Sequence, residues 1–221
     1  MEKVDLDVMS TLSEGISVGA KNLASLIAAA VLYLLTIWIP YLNVGTTIAM
    51  CSIPGRIARG EIISPLFIFD SEYRKDFASF FLLVMFVAIA MYFGLIFLFV
   101  PGIVVAISTS LSVYILIDND TNPIDAIKQS VKATYGNKLA IFCINILYAV
   151  AVFVVGIIIF LIGYNISETL LSILMVALIV SVAPFSYGID SVIYKKLVLD
   201  RANEEVISEV EEIISETEKI Q

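Results

Sequence analysis

The 221-residue chain contains no histidine, only two cysteines and few charged residues. Without histidine, acid–base catalysis by imidazole and Ser-His-Asp triads are excluded. Cys51 and Cys143 both lie in apolar runs, which indicates buried thiols rather than a disulfide or a metal site. No phosphate-binding glycine loop and no zinc-protease motif occurs. We therefore expect a protein that is not an enzyme and that uses neither a metal nor a cofactor.

The sequence is unusually rich in apolar residues. Hydrophobic residues make up 60% of the chain, charged residues 15%, and the mean hydropathy is +0.98. About 20 apolar residues in a helix cross the ~30 Å hydrocarbon layer of a bilayer. The sequence therefore predicts an all-α, polytopic membrane protein with six spans. The predicted spans are Asn22–Ile39, Tyr41–Ile57, Phe77–Val100, Gly102–Ile117, Leu139–Ile162 and Thr169–Ile193.

The positive charges predict the orientation of these spans. All thirteen Lys and Arg residues fall before span 1, between spans 2 and 3, between spans 4 and 5, or after span 6. Cytoplasmic loops retain positive residues, so both termini are expected in the cytoplasm of a cell whose inner membrane holds the protein. Three parts result: an interfacial segment over 1–21, a transmembrane domain over 22–197 and an acidic tail over 198–221.

Two amphipathic helices are expected on the cytoplasmic surface. The first has apolar positions at Val4, Val8, Leu12 and Ile16. The second connects spans 4 and 5 over Pro123–Tyr135, with Asn122 as N-cap and proline at the first helical position. Its apolar face is expected to consist of Ile124, Ile127 and Val131, which would point toward lipid or the bundle.

The C-terminal tail carries most of the net charge of −8. Eight acidic residues against two basic ones between Asp200 and Gln221 contribute −6, which disfavours a nucleic-acid partner. Its apolar residues follow heptad spacing, interrupted by Asn203 and Thr217. Three structures fit this pattern: a coiled coil between copies, a helix docked on the basic cytoplasmic surface, or a disordered segment.

Several short motifs resemble a known family. They are Ala58-Arg59-Gly60-Glu61, Pro101-Gly102-Ile103, Tyr114-Ile115-Leu116-Ile117-Asp118, Ala126-Ile127-Lys128-Gln129-Ser130 and Gly136-Asn137-Lys138. This pattern resembles a widespread prokaryotic family of small integral membrane proteins of unknown function. That family is similar to the membrane domain fused to some glycerophosphodiester phosphodiesterases. The resemblance implies a membrane module without the enzyme, because no catalytic domain accompanies it.

Two groups of residues are candidates for a functional site. The basic residues of the cytoplasmic loops could bind anionic headgroups or phosphate, or could serve only to orient the protein: Arg56, Arg59, Arg74, Lys75, Lys128 and Lys132. Polar residues inside the spans could line a groove or pore, or could pack helices together: Ser108, Thr109, Ser112, Asn145 and Asp190. Asp190 either reaches the interface or pairs with Arg56 or Arg59.

The functional expectation follows from these groups. A non-enzymatic membrane module that self-associates into a pore or permease-like assembly is one hypothesis. The alternative is an accessory protein that binds lipids through their headgroups. The expected partners are membrane lipids and further copies of the chain, and no nucleic acid.

Overall fold

A computed structural model describes residues 5–75, 77–97 and 99–220, and within these ranges the chain is helical without strands. Ten α-helices are joined by short turns. They are α1 Val8–Lys21, α2 Leu23–Thr36, α3 Pro40–Ala58, α4 Phe77–Phe97, α5 Phe99–Thr109, α6 Ser112–Asn119, α7 Pro123–Ala133, α8 Lys138–Ile166, α9 Glu168–Tyr194 and α10 Asp200–Ile220. The expected fold class, all-α, is confirmed.

Four helical stretches of the described chain are long and apolar enough to span a membrane. They are Phe77–Ile96, Phe99–Asn119, Lys138–Tyr164 and Glu168–Ser208. A fifth results if α1 and α2, bent by 68° at Asn22, count as one broken span. Helix α3 does not qualify, because its polar, glycine and proline residues lower its hydropathy. The structure thus supports a helical membrane protein with four or five candidate spans, and it does not establish six.

The fourth predicted span is interrupted. Helix α5 ends at Thr109 and α6 begins at Ser112, so the expected continuous helix over Gly102–Ile117 has a break at Ser110–Leu111. The Ser110 amide bonds the Ile107 carbonyl three residues back, which tightens the last turn of α5. Hydroxyl groups that bond nearby carbonyls compete with regular helix geometry.

Helix α7 packs into this break. The Ser130 hydroxyl donates to the Ser108 carbonyl at 2.7 Å and accepts from the Leu111 amide at 3.2 Å. Helix α7 begins as predicted, with the Asn122 side chain accepting from the Asp125 amide. Its buried face, however, consists of small residues, Ala126, Ser130 and Ala133. Of the two orientations predicted for the apolar face, the structure shows the outward one: Ile124 and Val131 are exposed and Ile127 is half-buried.

Helix α1 packs antiparallel to the last turns of α9 through glycines. The buried residues of α1 are Thr11, Gly15 and Gly19, one per turn, and Gly15 and Gly19 lie against Gly188 of α9. Lys196 closes the contact by pairing with Glu14 at 2.8 Å. Small residues occupy this interface because they let two backbones approach closely. Of the apolar positions that predicted a surface helix, Ile16 is exposed and Val4 lies outside the described residues.

Helices α2 and α3 form a hairpin that is covered by two 3₁₀ turns, Pro65–Phe69 and Ser71–Arg74. Ile68 is buried in a core shared with Leu26 and Ile53. Residues of the second turn contact α3 over most of its length: the Arg74 guanidinium stacks on the Tyr41 ring, and Tyr73 bonds Ser52 and Arg56. The polar chain leading into α4 therefore runs alongside α3.

The tail forms helix α10, joined to α9 by a π-helical turn over Lys195–Leu199. Its main contact is with this turn. The side chains of Val206, Val210 and Ile214 are about half exposed or more. Of the three structures that the sequence left open, the structure shows a helix within one copy, and the contact that would cover its apolar face stays a prediction.

Candidate functional site: a charged cavity between α3, α4 and α6

A cavity of about 610 Å³ lies where α3 and α6 end and α4 begins. We call this place the basic end of the bundle, because Arg56, Arg59 and Lys75 lie there. The lining is predominantly polar and charged. Its residues are Ser52, Arg56, Arg59, Glu61, Glu72, Tyr73, Lys75, Ile117, Asp118 and Asp120.

The end of α3 places two guanidinium groups on one side of the helix. Arg56 and Arg59 are three residues apart, a spacing that puts side chains on neighbouring positions of a helix surface. Gly60 then takes a left-handed conformation, with φ of 78°, which a glycine adopts without strain. The chain turns back, and Glu61 reaches both arginines: its carboxylate lies 2.7 Å from Arg56 Nε and 2.9 Å from Arg59 Nε.

Asp118, in the last turn of α6, completes this ion-pair network. Its carboxylate pairs with Arg59 Nη1 and its side chain is only 5% exposed. The carboxylate fits because residue 55 is glycine: a Cβ there would lie 2.8 Å from Asp118 Oδ2. Burial alone would lower the pKa of Arg59, but its hydrogen bonds to the Asp118 and Glu61 carboxylates raise it above its ordinary value. Arg59 therefore stays charged and ties α3 to α6.

The buried end of this network has unused hydrogen-bonding capacity. Asp118 Oδ2 and the Tyr194 hydroxyl are buried close enough to interact with each other, although neither makes a well-aligned hydrogen bond to a described residue. Buried polar atoms in native proteins are nearly always bonded. The Tyr194 hydroxyl is therefore the donor at hand for Asp118 Oδ2, and this pair links α9 to the end of α6.

The Ser71–Arg74 turn holds the other guanidinium. Arg56 Nη1 donates to the Tyr73 hydroxyl at 2.7 Å, and Ser52 donates to the same oxygen at 3.2 Å. The Arg56 guanidinium also lies 5.1 Å from the centre of the Phe67 ring, within the range of a cation–π contact. Arg56 is therefore positioned by groups from two segments, and its geometry is set before any ligand arrives.

Three charged residues at the mouth of the cavity make no ion pair within the described part of the chain: Glu72, Lys75 and Asp120. All three are exposed. Asp120 ends α6 in a left-handed conformation with φ of 46°, which aspartate tolerates better than most residues. The lining as a whole carries three cations and four carboxylates, so it is close to neutral and strongly dipolar.

The structure separates the six basic residues that the sequence grouped together. Arg56, Arg59 and Lys75 line the cavity, whereas Arg74 stacks on Tyr41 and lies against Gly45. Lys128 and Lys132 are exposed on α7, outside the lining. Lys128 pairs with Asp125 at 3.1 Å, and hydrogen bonds from Lys128 and Asn122 lower the pKa of Asp125 below its ordinary value.

Most of the residues predicted to line a polar groove donate hydrogen bonds to nearby backbone carbonyls. Ser108, Thr109 and Ser112 are buried and donate to carbonyls three or four residues back, at 2.6 to 2.9 Å. The Asn145 amide donates to the Ile141 carbonyl in the same way, at 2.9 Å. These contacts agree with the packing role that the sequence left open.

Asp190 is approached by a tyrosine rather than by an arginine. Its carboxylate accepts a hydrogen bond from the Tyr114 hydroxyl of α6 at 3.4 Å. Arg56 and Arg59, the partners suggested by the sequence, are engaged with Glu61, Tyr73 and Asp118. Asp190 therefore links α9 to α6 beside the cavity without lining it.

Several functional residues escaped the sequence analysis. Glu61 was visible only as part of a short motif, Asp118 was interpreted as a solvated acid at the inner end of span 4, and Tyr73 carried no signal of its own. One overlooked pattern was informative: Gly15-x-x-x-Gly19 is the spacing that lets helices pack closely in a membrane. The contacts of Glu61 and Asp118 depend on the fold, because Arg59 and Asp118 are far apart in sequence.

Comparison with known proteins gives no relative for this chain: no family model, no curated protein and no solved structure matches it. The resemblance to a prokaryotic membrane family therefore stays a prediction.

Proposed function

We propose that this protein is a membrane protein that binds a zwitterionic phosphate compound, of the kind found in phospholipid headgroups, at its basic end. One observation carries the proposal: a cavity large enough for a small ligand presents positive and negative groups at fixed positions. It belongs to the lipid-binding alternative of the two functions that the sequence suggested.

The charge balance favours a zwitterion over a simple anion. Arg59 and Arg56 already face Glu61, so a doubly charged anion would meet carboxylates as well as guanidinium groups. A group with both a phosphate and an ammonium can use each sign. Lys75 and the free guanidinium N–H groups suit the phosphate, and Glu72 and Asp120 suit the ammonium. A primary ammonium fits best, because it donates hydrogen bonds to carboxylates.

Exposed apolar residues beside the cavity support a position at headgroup depth. Ile62, next to Glu61, is 93% exposed, and Leu66 is also exposed. At the opposite end of α3 from the cavity, Trp38 and Tyr41 are exposed aromatic residues of the type enriched at membrane interfaces. Such side chains gain free energy by entering the lipid boundary while the adjacent charges stay in the headgroup layer.

We further propose four spans, formed by α4, α5 with α6, α8 and α9, with both termini in the cytoplasm. Helix α2 has 14 residues, about 21 Å at 1.5 Å per residue, which is short of the ~30 Å hydrocarbon layer. Arg74, three residues before α4, reaches the first turns of α3 at Tyr41 and Gly45. A membrane-spanning α3 would take this arginine into the hydrocarbon, at considerable cost. The six-span arrangement is the alternative.

The pore hypothesis has weaker support. The hydroxyl groups that would line a polar path are buried and donate to backbone carbonyls three or four residues back, as hydroxyls that only pack helices together do. We therefore place the binding function at the basic end.

The test is lipid binding by native mass spectrometry of the purified protein in mild detergent. Phosphatidylethanolamine should bind more tightly than phosphatidylglycerol, because only the former carries an ammonium. Lys75→Gln should weaken phosphatidylethanolamine binding several-fold, and since Lys75 is exposed and makes no ion pair with the described residues, the fold should tolerate the change. Lys132→Gln, the same change at an exposed lysine outside the cavity, is the control. Equal binding by both lipids and both variants would contradict the proposal.

A further inference from the structure

We propose that the site takes an intact phospholipid, with an acyl chain in the apolar crevice between α4 and the α5–α6 break, rather than a water-soluble zwitterion. This inference rests on the function proposed above and names the class of its ligand. Three observations support it: the size and lining of the crevice, its position relative to the charged cavity, and the state of its hydroxyl groups.

The crevice has a volume of about 400 Å³ and opens to the outer surface of the bundle. One wall is α4 and the other is formed by the end of α5 and the start of α6. The lining is mostly small or apolar: Leu83, Val84, Val87, Ala88, Met91, Ala106, Thr109, Ser110, Ser112 and Val113. Of the break itself, Ser110 lines this space.

The crevice and the charged cavity share helix α6. Val113 lines the crevice and Ile117 lines the cavity, and these residues are four apart on the same face of α6. One helical turn, about 5.4 Å, separates them. On the other wall, Lys75 borders the cavity just before α4 and Leu83 borders the crevice two turns into α4. A ligand with its headgroup in the cavity thus has its chain directed along α6 and α4 into the crevice.

The hydroxyl groups of the crevice do not make it polar. Thr109 donates to the Val105 carbonyl, Ser110 to that of Ile107, and Ser112 to that of Thr109. Each hydroxyl hydrogen is already donated to a backbone carbonyl of α5, so no hydroxyl in the crevice needs an acceptor from an occupant. An acyl chain in the crevice leaves no hydroxyl hydrogen without an acceptor, and it covers the apolar walls of the crevice.

A polar cavity and an apolar crevice in series match an amphiphile with one charged end. A soluble zwitterion would fill the cavity and gain nothing from the crevice. A phospholipid in the cytoplasmic leaflet, in contrast, already has its headgroup and its chains at the two depths that the cavity and the crevice occupy. The geometry therefore favours the lipid over the free headgroup.

The experiment compares two probes that share a headgroup. One is 1-palmitoyl-2-oleoyl-phosphatidylethanolamine, and the other is glycerophosphoethanolamine, which has no acyl chains. The variant Ala88→Leu fills the crevice from the α4 side, and Ala106→Leu fills it from the α5 side. The control Ala90→Leu makes the same change on an exposed position of α4 outside the crevice. Binding is measured by native mass spectrometry, and size-exclusion chromatography checks folding.

We expect the wild-type protein to bind the intact lipid at least tenfold more tightly than the chainless probe. Ala88→Leu and Ala106→Leu should weaken lipid binding at least fivefold and leave the chainless probe unaffected, whereas Ala90→Leu should bind like wild type. Two outcomes overturn the inference but keep the proposed function: equal affinity for both probes, or unchanged lipid binding by whichever crevice variant folds. If the wild-type protein binds neither probe, the proposed function itself is wrong.

Discussion

At the scale of single residues, three glycines determine how closely α1 and α9 approach. Gly188 of α9 lies against Gly15 and Gly19 of α1, and a Cβ at position 188 would lie 2.6 Å from the Gly19 nitrogen. This neighbouring atom belongs to the backbone, which cannot rotate away as a side chain can. Any larger residue at position 188 must therefore push the two helices apart.

Gly188→Ala should destabilise the protein by about 1–3 kcal/mol, the usual cost of overpacking. Elsewhere in a helix the same change is favourable, because alanine has the higher helix propensity. Gly156→Ala is the matched control: its Cβ would meet only Leu178, at an ordinary 3.5 Å. Thermal unfolding in detergent measures both. If the two variants unfold at the same temperature, the close packing of α1 on α9 is wrong.

At the scale of elements, the interrupted helix α5–α6 depends on α7. The Ser130 hydroxyl serves two backbone groups that the break leaves without helical partners, the Ser108 carbonyl and the Leu111 amide. Ser130 is fully buried, so water is not available to replace it. One side chain of α7 therefore satisfies the backbone of the break, and the two elements should form together.

Ser130→Ala should destabilise the protein by about 1–3 kcal/mol, because it leaves buried polar groups without partners. Ser110→Ala, at an exposed serine inside the break that bonds only the Ile107 carbonyl, should have little effect. Hydrogen exchange of the Leu111 amide gives a local readout and should accelerate in Ser130→Ala alone. Unchanged protection of Leu111 would show that α7 does not support the break.

The sequence predicted those features of the helices that depend on neighbouring residues. It did not predict those that depend on packing between helices. The start of α7 was predicted because Asn122 and Pro123 form a cap without help from other helices. Its buried face was not, since Ala126 and Ser130 are chosen by the narrow space beside the break. In water a helix buries its most apolar face, but next to lipid that face can stay outside and small residues pack inward.

At the scale of the whole molecule, the open question is whether the hairpin of α2 and α3 crosses the membrane. The positive charges do not decide it, because a hairpin that crosses twice and one that does not cross leave both termini on the same side. The two arrangements differ in one place: the turn at Trp38 lies outside the cell in the six-span arrangement and inside it in the four-span arrangement.

Single cysteines at Trp38, Asn122 and Tyr164, in a background with Cys51 and Cys143 replaced by alanine, distinguish the two arrangements. We expect Trp38→Cys and Asn122→Cys to react with a membrane-impermeant maleimide from the same side, and Tyr164→Cys from the opposite side. All three positions are exposed, so accessibility within the fold is not limiting. Labelling of Trp38→Cys together with Tyr164→Cys would replace four spans by six.

The sequence by itself determined the all-helical class, the presence of helices apolar enough to span a membrane and most helix boundaries, because hydropathy and capping act over a few neighbouring residues. Only the tertiary structure decided which residues share a site. Arg59, Glu61 and Asp118 form one network because α3 and α6 end side by side with a glycine between them. Such a contact depends on where distant helices lie, and helices in a bilayer are placed by small residues and buried polar bonds, which leave little trace in hydropathy.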